Sequence, residues 1–101
     1  MKAFQAASVT QYSDEDLMEY FQNGKEPAFN ELVTRYQDRL HNFLYRYTHN
    51  HQDCEDLVQE TFLRVHKSKH SYERIAKFST WMYTIALNLA KSLVQKEAAY
   101  V

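Results

Sequence analysis

One glycine, one proline and one cysteine in 101 residues set the first limits. So few turn-formers argue against a β architecture, which needs special backbone positions every few residues. A lone cysteine excludes an internal disulfide framework and fits a reducing compartment, here the cytoplasm. Cys54 stands within a helical pattern and reads as a packed thiol, not a nucleophile. No apolar run is long enough to span a membrane, and the N-terminus lacks a signal-peptide pattern. No membrane insertion is expected. Also missing are a glycine-rich phosphate loop, a cysteine pair, a serine elbow and the Glu-x-x-His signature of di-iron helices. His66 and His70 have the spacing of two metal ligands on a helix face, but Lys67 and Lys69 flank them and repel a cation. The expectation is therefore no enzyme, no cofactor and no metal.

What the chain does have is aromatic side chains and helical periodicity. There are eight Tyr, six Phe and one Trp, and 45% of residues are apolar, enough for the core of one small domain. Residues 1–12 show no period and read as a flexible tail. Ser13 can cap a short helix carrying Leu17, Tyr20 and Phe21, and Gly24 sits where a left-handed C-terminal residue is wanted. Pro27 fits the first turn of the next helix. Phe29, Leu32, Val33, Tyr36, Leu40, Phe43, Leu44 and Tyr47 predict a long helix over about 26–48. Asn50 or Asp53 can cap a third helix running to about residue 67, with Cys54, Leu57, Val58, Thr61, Phe62 and Val65 on its buried side. Residues 67–77 read as a loop. Ser79 or Thr80 then caps a last helix reaching about residue 98. The sum is an all-α bundle of about four helices, one short and three longer.

Charge divides the second half. Residues 53–60 hold four acids and no base, whereas residues 64–96 hold seven Lys or Arg and one acid, Glu73. That split suits two partners of different chemistry, although acids in a first helical turn also serve the helix itself. Asp56, Gln59 and Glu60 are three and four apart and share one face. On the last helix, Phe78, Met82, Ile85, Ala86, Leu89 and Leu93 form a core stripe. Beside it Trp81, Thr84, Asn88, Lys91 and Gln95 form a stripe with an indole, a hydroxyl, two amides and an ammonium. Such a stripe suits unpaired nucleic acid, with its π-faces and anionic backbone.

Three segments resemble one family in order and spacing. EDLVQETFLRV at 55–65 is similar to the region-two helix of bacterial RNA polymerase sigma factors, nearest the extracytoplasmic-function (ECF) class. FSTWMYTIALNLA at 78–90 resembles that class's promoter-melting helix, and AFNELVTRY at 28–36 matches the first part of the region. The resemblance covers about residues 13–96. It implies a sigma region-two domain over 13–101, without the family's second domain that reads the minus-thirty-five element. It implies docking on core RNA polymerase, at a coiled coil of the largest subunit, through Asp56, Gln59 and Glu60, with Leu57 and Leu63 as apolar contacts. It implies capture of the single-stranded minus-ten promoter element, with Tyr72 lining a pocket for a flipped base. Phe78, Trp81, Thr84 and Asn88 would contact or support the opened strand, and Lys77 and Lys91 would meet phosphates. An anti-sigma factor is a further partner of this family. It could cover the apolar strip Tyr83, Leu87, Ala90 and Val94, as could the first helix or the missing domain. Thr84 and Leu87 stand where the family often has Arg, and no basic cluster follows Lys96. The competing reading is a helical protein-interaction module without DNA binding.

Overall fold

The computed structural model describes residues 3–98 and builds them into four α-helices and two short 3-10 helices. Helix α1 spans Asp14–Gln22, α2 Glu26–Thr48, α3 His51–Lys67 and α4 Phe78–Ala98. The 3-10 helices are Ala6–Gln11 and Lys69–Ser71. No helix among the described residues is long and apolar enough to cross a membrane.

Local chemistry sets most of the boundaries. Ser13 Oγ accepts the Asp16 N–H at 3.0 Å, and Asn50 Oδ1 accepts the Asp53 N–H at 2.9 Å. Each satisfies an orphan donor at a helix start. Gly24 breaks the chain after α1 with φ +91, and His49 ends α2 in the left-handed region at φ 50. Pro27 sits in the first turn of α2, where its missing N–H costs nothing.

The start of α4 differs from expectation. The helix begins at Phe78, before Ser79 and Thr80, and neither hydroxyl caps it. Its first N–H donates instead to Glu15 Oε2 of α1 at 2.9 Å. A carboxylate delivered from a neighbouring helix satisfies both the orphan donor and the positive helix end.

The four helices close around Leu17, Met18 and Phe21 of α1, Leu32, Leu40 and Leu44 of α2, Cys54 and Val65 of α3, and Phe78 and Met82 of α4, all buried. Ala86 and Ala90 of α4 are also fully buried. Thr61 is buried too, with its hydroxyl donating to the Leu57 carbonyl at 2.7 Å, so its polar group is not stranded. Cys54 Sγ lies 3.1 Å from Thr48 Oγ1, a packed thiol at the α2–α3 corner. Tyr83, on the far strip of α4, meets α2 by edge contacts to Tyr36 and Phe43. Val94 stays half exposed.

The first dozen residues, read as a flexible tail, contain the Ala6–Gln11 3-10 helix. Phe4 packs against Tyr12 and Tyr20, with ring centres 5.8 and 5.0 Å away. Arg35 of α2 then donates to the carbonyls of Val9, Thr10 and Tyr12. The same guanidinium bonds Asp14 at 2.9 Å and Glu31 at 2.8 Å. Sequence gave no period here because one arginine and two rings, not a repeating face, hold the segment.

Two measurements test this packing. Arg35→Ala is expected to cost about 2 kcal/mol, since it strands carboxylate and carbonyl partners together. Hydrogen exchange should quicken first at residues 4–12, and an unchanged denaturation midpoint contradicts the assignment. The second test is pH. Burial, aided by the hydrogen bond to Asp14, pushes the Tyr36 phenol well above the usual tyrosine range. Burial also raises Tyr72 and Tyr83. A raised phenol contributes fully below the unfolded value and loses its contribution as pH rises past it. Stability should therefore fall above about pH 10, with these phenols ionising only as the helices melt. Ionisation of all eight tyrosines in the intact fold would be the contrary result.

Candidate nucleic-acid interface

Helix α4 buries one face and leaves the neighbouring stripe outward. Trp81 is half-buried, and Thr84, Asn88 and Lys91 are exposed. The Trp81 ring lies 5.3 Å from Tyr72 and 6.1 Å from Phe78, so an aromatic pair backs the indole. The Thr84 hydroxyl donates to the Thr80 carbonyl at 2.8 Å, leaving only its lone pairs for another molecule. Asn88, Lys77 and Lys91 have no side-chain partner among the described residues. They are free to meet one.

A groove of about 350 Å³ and a second of about 230 Å³ open on α3. The smaller lies between the end of α3 and the middle of α4. Arg64, Ser68, Asn88 and Ser92 bring polar groups to it, and Ile85 and Leu89 bring apolar surface. A nucleobase has that same division, flat apolar faces and a polar edge. Sequence reading found only Asn88 of these six. The missing signal is the α3–α4 crossing, which places residues 64 and 68 beside residues 85–92.

Two expected strand contacts lie inside. Tyr72 is 4% exposed, packed against Phe78 and Trp81, and its hydroxyl donates to the Ala76 carbonyl at 2.5 Å. Phe78 is fully buried. Tyr72 therefore shapes the loop before α4 and does not offer a free face to a base. The loop folds back onto the α4 start, so a polar-looking neighbourhood conceals an aromatic cluster. Phe78 supports the indole from the core.

The acidic face of α3 assembles as a unit. Asp56 and Gln59 are exposed, Glu60 is half-buried, and Leu63 is 52% exposed. Leu57, expected as an apolar contact on this face, points into the core instead. Its helical position, three residues from Cys54 and four from Thr61, puts it with the buried stripe. Beside the acids, the larger groove is lined by Phe29, Gln59, Phe62, Leu63 and His66. His66 bonds Glu26 at 3.0 Å and sits edge-on to Phe21 and Phe29, so it ties α3 to α2. Glu60 and Arg64 pair at 3.6 Å, joining the acidic face to the smaller groove.

Core and surface roles separate by stability. Phe78→Ala should cost about 3–5 kcal/mol. Asn88→Ala should stay within about 0.5 kcal/mol, because its side chain is exposed and unpartnered. Urea denaturation checks both, and a mild Phe78→Ala loss would place that ring outside the core.

Comparison with known proteins agrees with the geometry. The Sigma-70 region 2 family matches residues 32–100. An ECF RNA polymerase sigma-E factor from Haemophilus influenzae is 42% identical over 82 residues, 81% of this chain and 43% of that protein. An RNA polymerase sigma-H factor from Pseudomonas aeruginosa is 34% identical over 84 residues, 83% of this chain and 44% of that protein. The chain thus spans less than half the length of these relatives. A solved structure described as an engineered region 2 of sigmaE in complex with GTAAAA matches with TM-score 0.81 and 37% identity, over 90% of this chain and 95% of its own. Family match, relatives and fold agree: this chain belongs to the sigma-70 region 2 family of ECF-class sigma factors.

Proposed function

We propose that this chain is the promoter-recognition domain of an ECF-class sigma factor, working in the bacterial cytoplasm. It docks on core RNA polymerase and holds the non-template strand of the minus-ten element once the duplex opens. The observation that carries this reading is the smaller groove, lined by the unpartnered Asn88 amide and by Arg64, on the helix that carries the half-buried Trp81. The solved structure of similar fold, described with GTAAAA bound, supports it.

The energetics fit that role. Taking a base out of the stack costs a few kcal/mol. Stacking on an aromatic side chain returns about 1–3 kcal/mol per base, and Trp81 is placed for it. The Asn88 amide can both donate and accept, so it can select a base edge. Arg64, Lys77 and Lys91 meet phosphates irrespective of sequence. With a net charge of −1, the domain has little long-range pull on DNA, so capture depends on these local contacts.

Docking falls to the other side of α3. Asp56, Gln59 and Glu60 offer acceptors to basic side chains of the polymerase coiled coil, and the groove beside Leu63 offers an apolar slot. An acidic face repels DNA, so the two partners stay on separate sides of the α3–α4 pair.

Titration of the chain with short single strands at stated salt tests this reading. The minus-ten strand should bind more tightly than a scrambled one. Asn88→Ala should reduce that preference about tenfold, the worth of a good base-edge contact. Lys91→Gln should weaken both strands alike and lower the salt slope by about 0.7. Glu60→Lys should weaken capture of core polymerase with helix content unchanged. Equal losses on both strands for Asn88→Ala, or unaltered polymerase capture by Glu60→Lys, would count against the corresponding surface.

A further inference from the structure

Two side chains of α1 hold the backbone around Trp81. Glu15 Oε2 accepts the Phe78 N–H at 2.9 Å, and Gln22 Nε2 donates to the Tyr72 carbonyl at 3.0 Å. Among the described residues, the rings beside the Trp81 indole are these same two, Phe78 at 6.1 Å and Tyr72 at 5.3 Å. Glu15 and Gln22 stand seven positions apart, about two helical turns, so one edge of α1 carries both. Each is half-buried.

Both bonds replace something the local chain does not supply. Ser79 and Thr80 leave the α4 start uncapped, and Gln22 also takes the Lys69 carbonyl at 2.7 Å. Burial raises the Tyr72 phenol and the Glu15 charge adds to the rise, which puts that carboxylate near the ring. A surface acid next to a nucleic-acid strand only repels it. A carboxylate bound to a helix N–H instead fixes where the first turn begins. The Trp81 N–H bonds the Lys77 carbonyl at 3.2 Å, so a displaced start carries Trp81 with it.

We propose that Glu15 and Gln22 are positioning residues for Trp81: from α1 they preset the indole for stacking on an unpaired base, and neither touches the strand. This rests on the strand-capture reading and adds to it the part of the molecule that sets the stacking geometry. A preset ring loses less freedom on binding than one that must be ordered first, so the two bonds appear as affinity. Stacking tolerates any base, so they act on affinity and not on base choice. Base choice stays with the Asn88 amide, and docking stays with α3.

The test is a double-mutant cycle read by the anisotropy of labelled single strands at fixed salt, with the emission of Trp81, the one tryptophan of the chain, as a second signal. Glu15→Ala should weaken the minus-ten strand and a scrambled strand alike by about fivefold, the worth of ordering one side chain. It should also shift the Trp81 emission to the red. Glu15→Gln keeps an acceptor oxygen and should restore affinity and emission together. In a Trp81→Leu background, Glu15→Ala should change strand affinity by less than about twofold, because it acts through the indole alone. Gln22→Ala should follow the pattern of Glu15→Ala. Capture of core polymerase should match wild type throughout. Stronger strand binding by Glu15→Ala makes Glu15 a repelling surface acid and overturns the proposal. So does an undiminished loss in the Trp81→Leu background, a changed preference between the two strands, or a loss of polymerase capture in step with strand affinity. A wild-type chain that binds neither strand, with emission still shifted in Glu15→Ala, is a separate result. It removes the strand-capture reading, and the stacking role with it.

Discussion

The polar edge of α1 decides what α4 can present. Five of its side chains bond to groups elsewhere in the molecule. Asp14 binds Arg35 and Tyr36, Glu15 takes the first N–H of α4, Asp16 and Glu19 hold Arg74, and Gln22 holds the carbonyls of Lys69 and Tyr72. The Arg74 pairs are half exposed and add only about 0–1 kcal/mol each. Their effect is geometric. They fix the loop from residue 69 to residue 78, and with it the aromatic seat under Trp81. A helix that touches no proposed partner therefore sets the shape of the surface proposed to take the strand.

That surface and the acidic face of α3 are close neighbours. One turn of helix separates Glu60 from Arg64, and the two side chains are paired. Their chemistry would keep the two proposed partners apart all the same. Carboxylates at Asp56 and Glu60 attract a basic protein helix and repel phosphates, whereas Arg64, Lys77 and Lys91 do the reverse. With the charges balanced overall, specificity depends on where each sign sits.

Periodic features were legible in the sequence, and convergent ones were not. The span Glu26–Thr48, the Asn50 cap and the Gly24 turn follow from spacing and local hydrogen bonding. Asn88 and Lys91 stand off the core stripe on a helical wheel, and both are exposed in the structure. Tyr72 misled because its neighbours in sequence are polar while its neighbours in space are Phe78 and Trp81. Glu15 escaped notice as a cap because its acceptor role spans 63 positions of chain. Arg64, Ser68 and Ser92 were hidden for the same reason: each looks like an ordinary solvated residue until two helices cross. The N-terminal 3-10 helix had no pattern to read, since Arg35 organises it from α2.

The account stands on one claim: the α3–α4 groove and the Trp81 stripe take an unpaired strand while the far side of α3 does not. Two-dimensional NMR of the isotopically labelled chain, titrated with a short minus-ten single strand, tests it most directly. Resonance shifts and strand contacts should concentrate at Arg64, Ser68, Asn88, Ser92 and the Trp81 indole, with Phe29, Gln59 and Leu63 unmoved. Shifts centred on Gln59 and Leu63, or spread evenly over the surface, would contradict it.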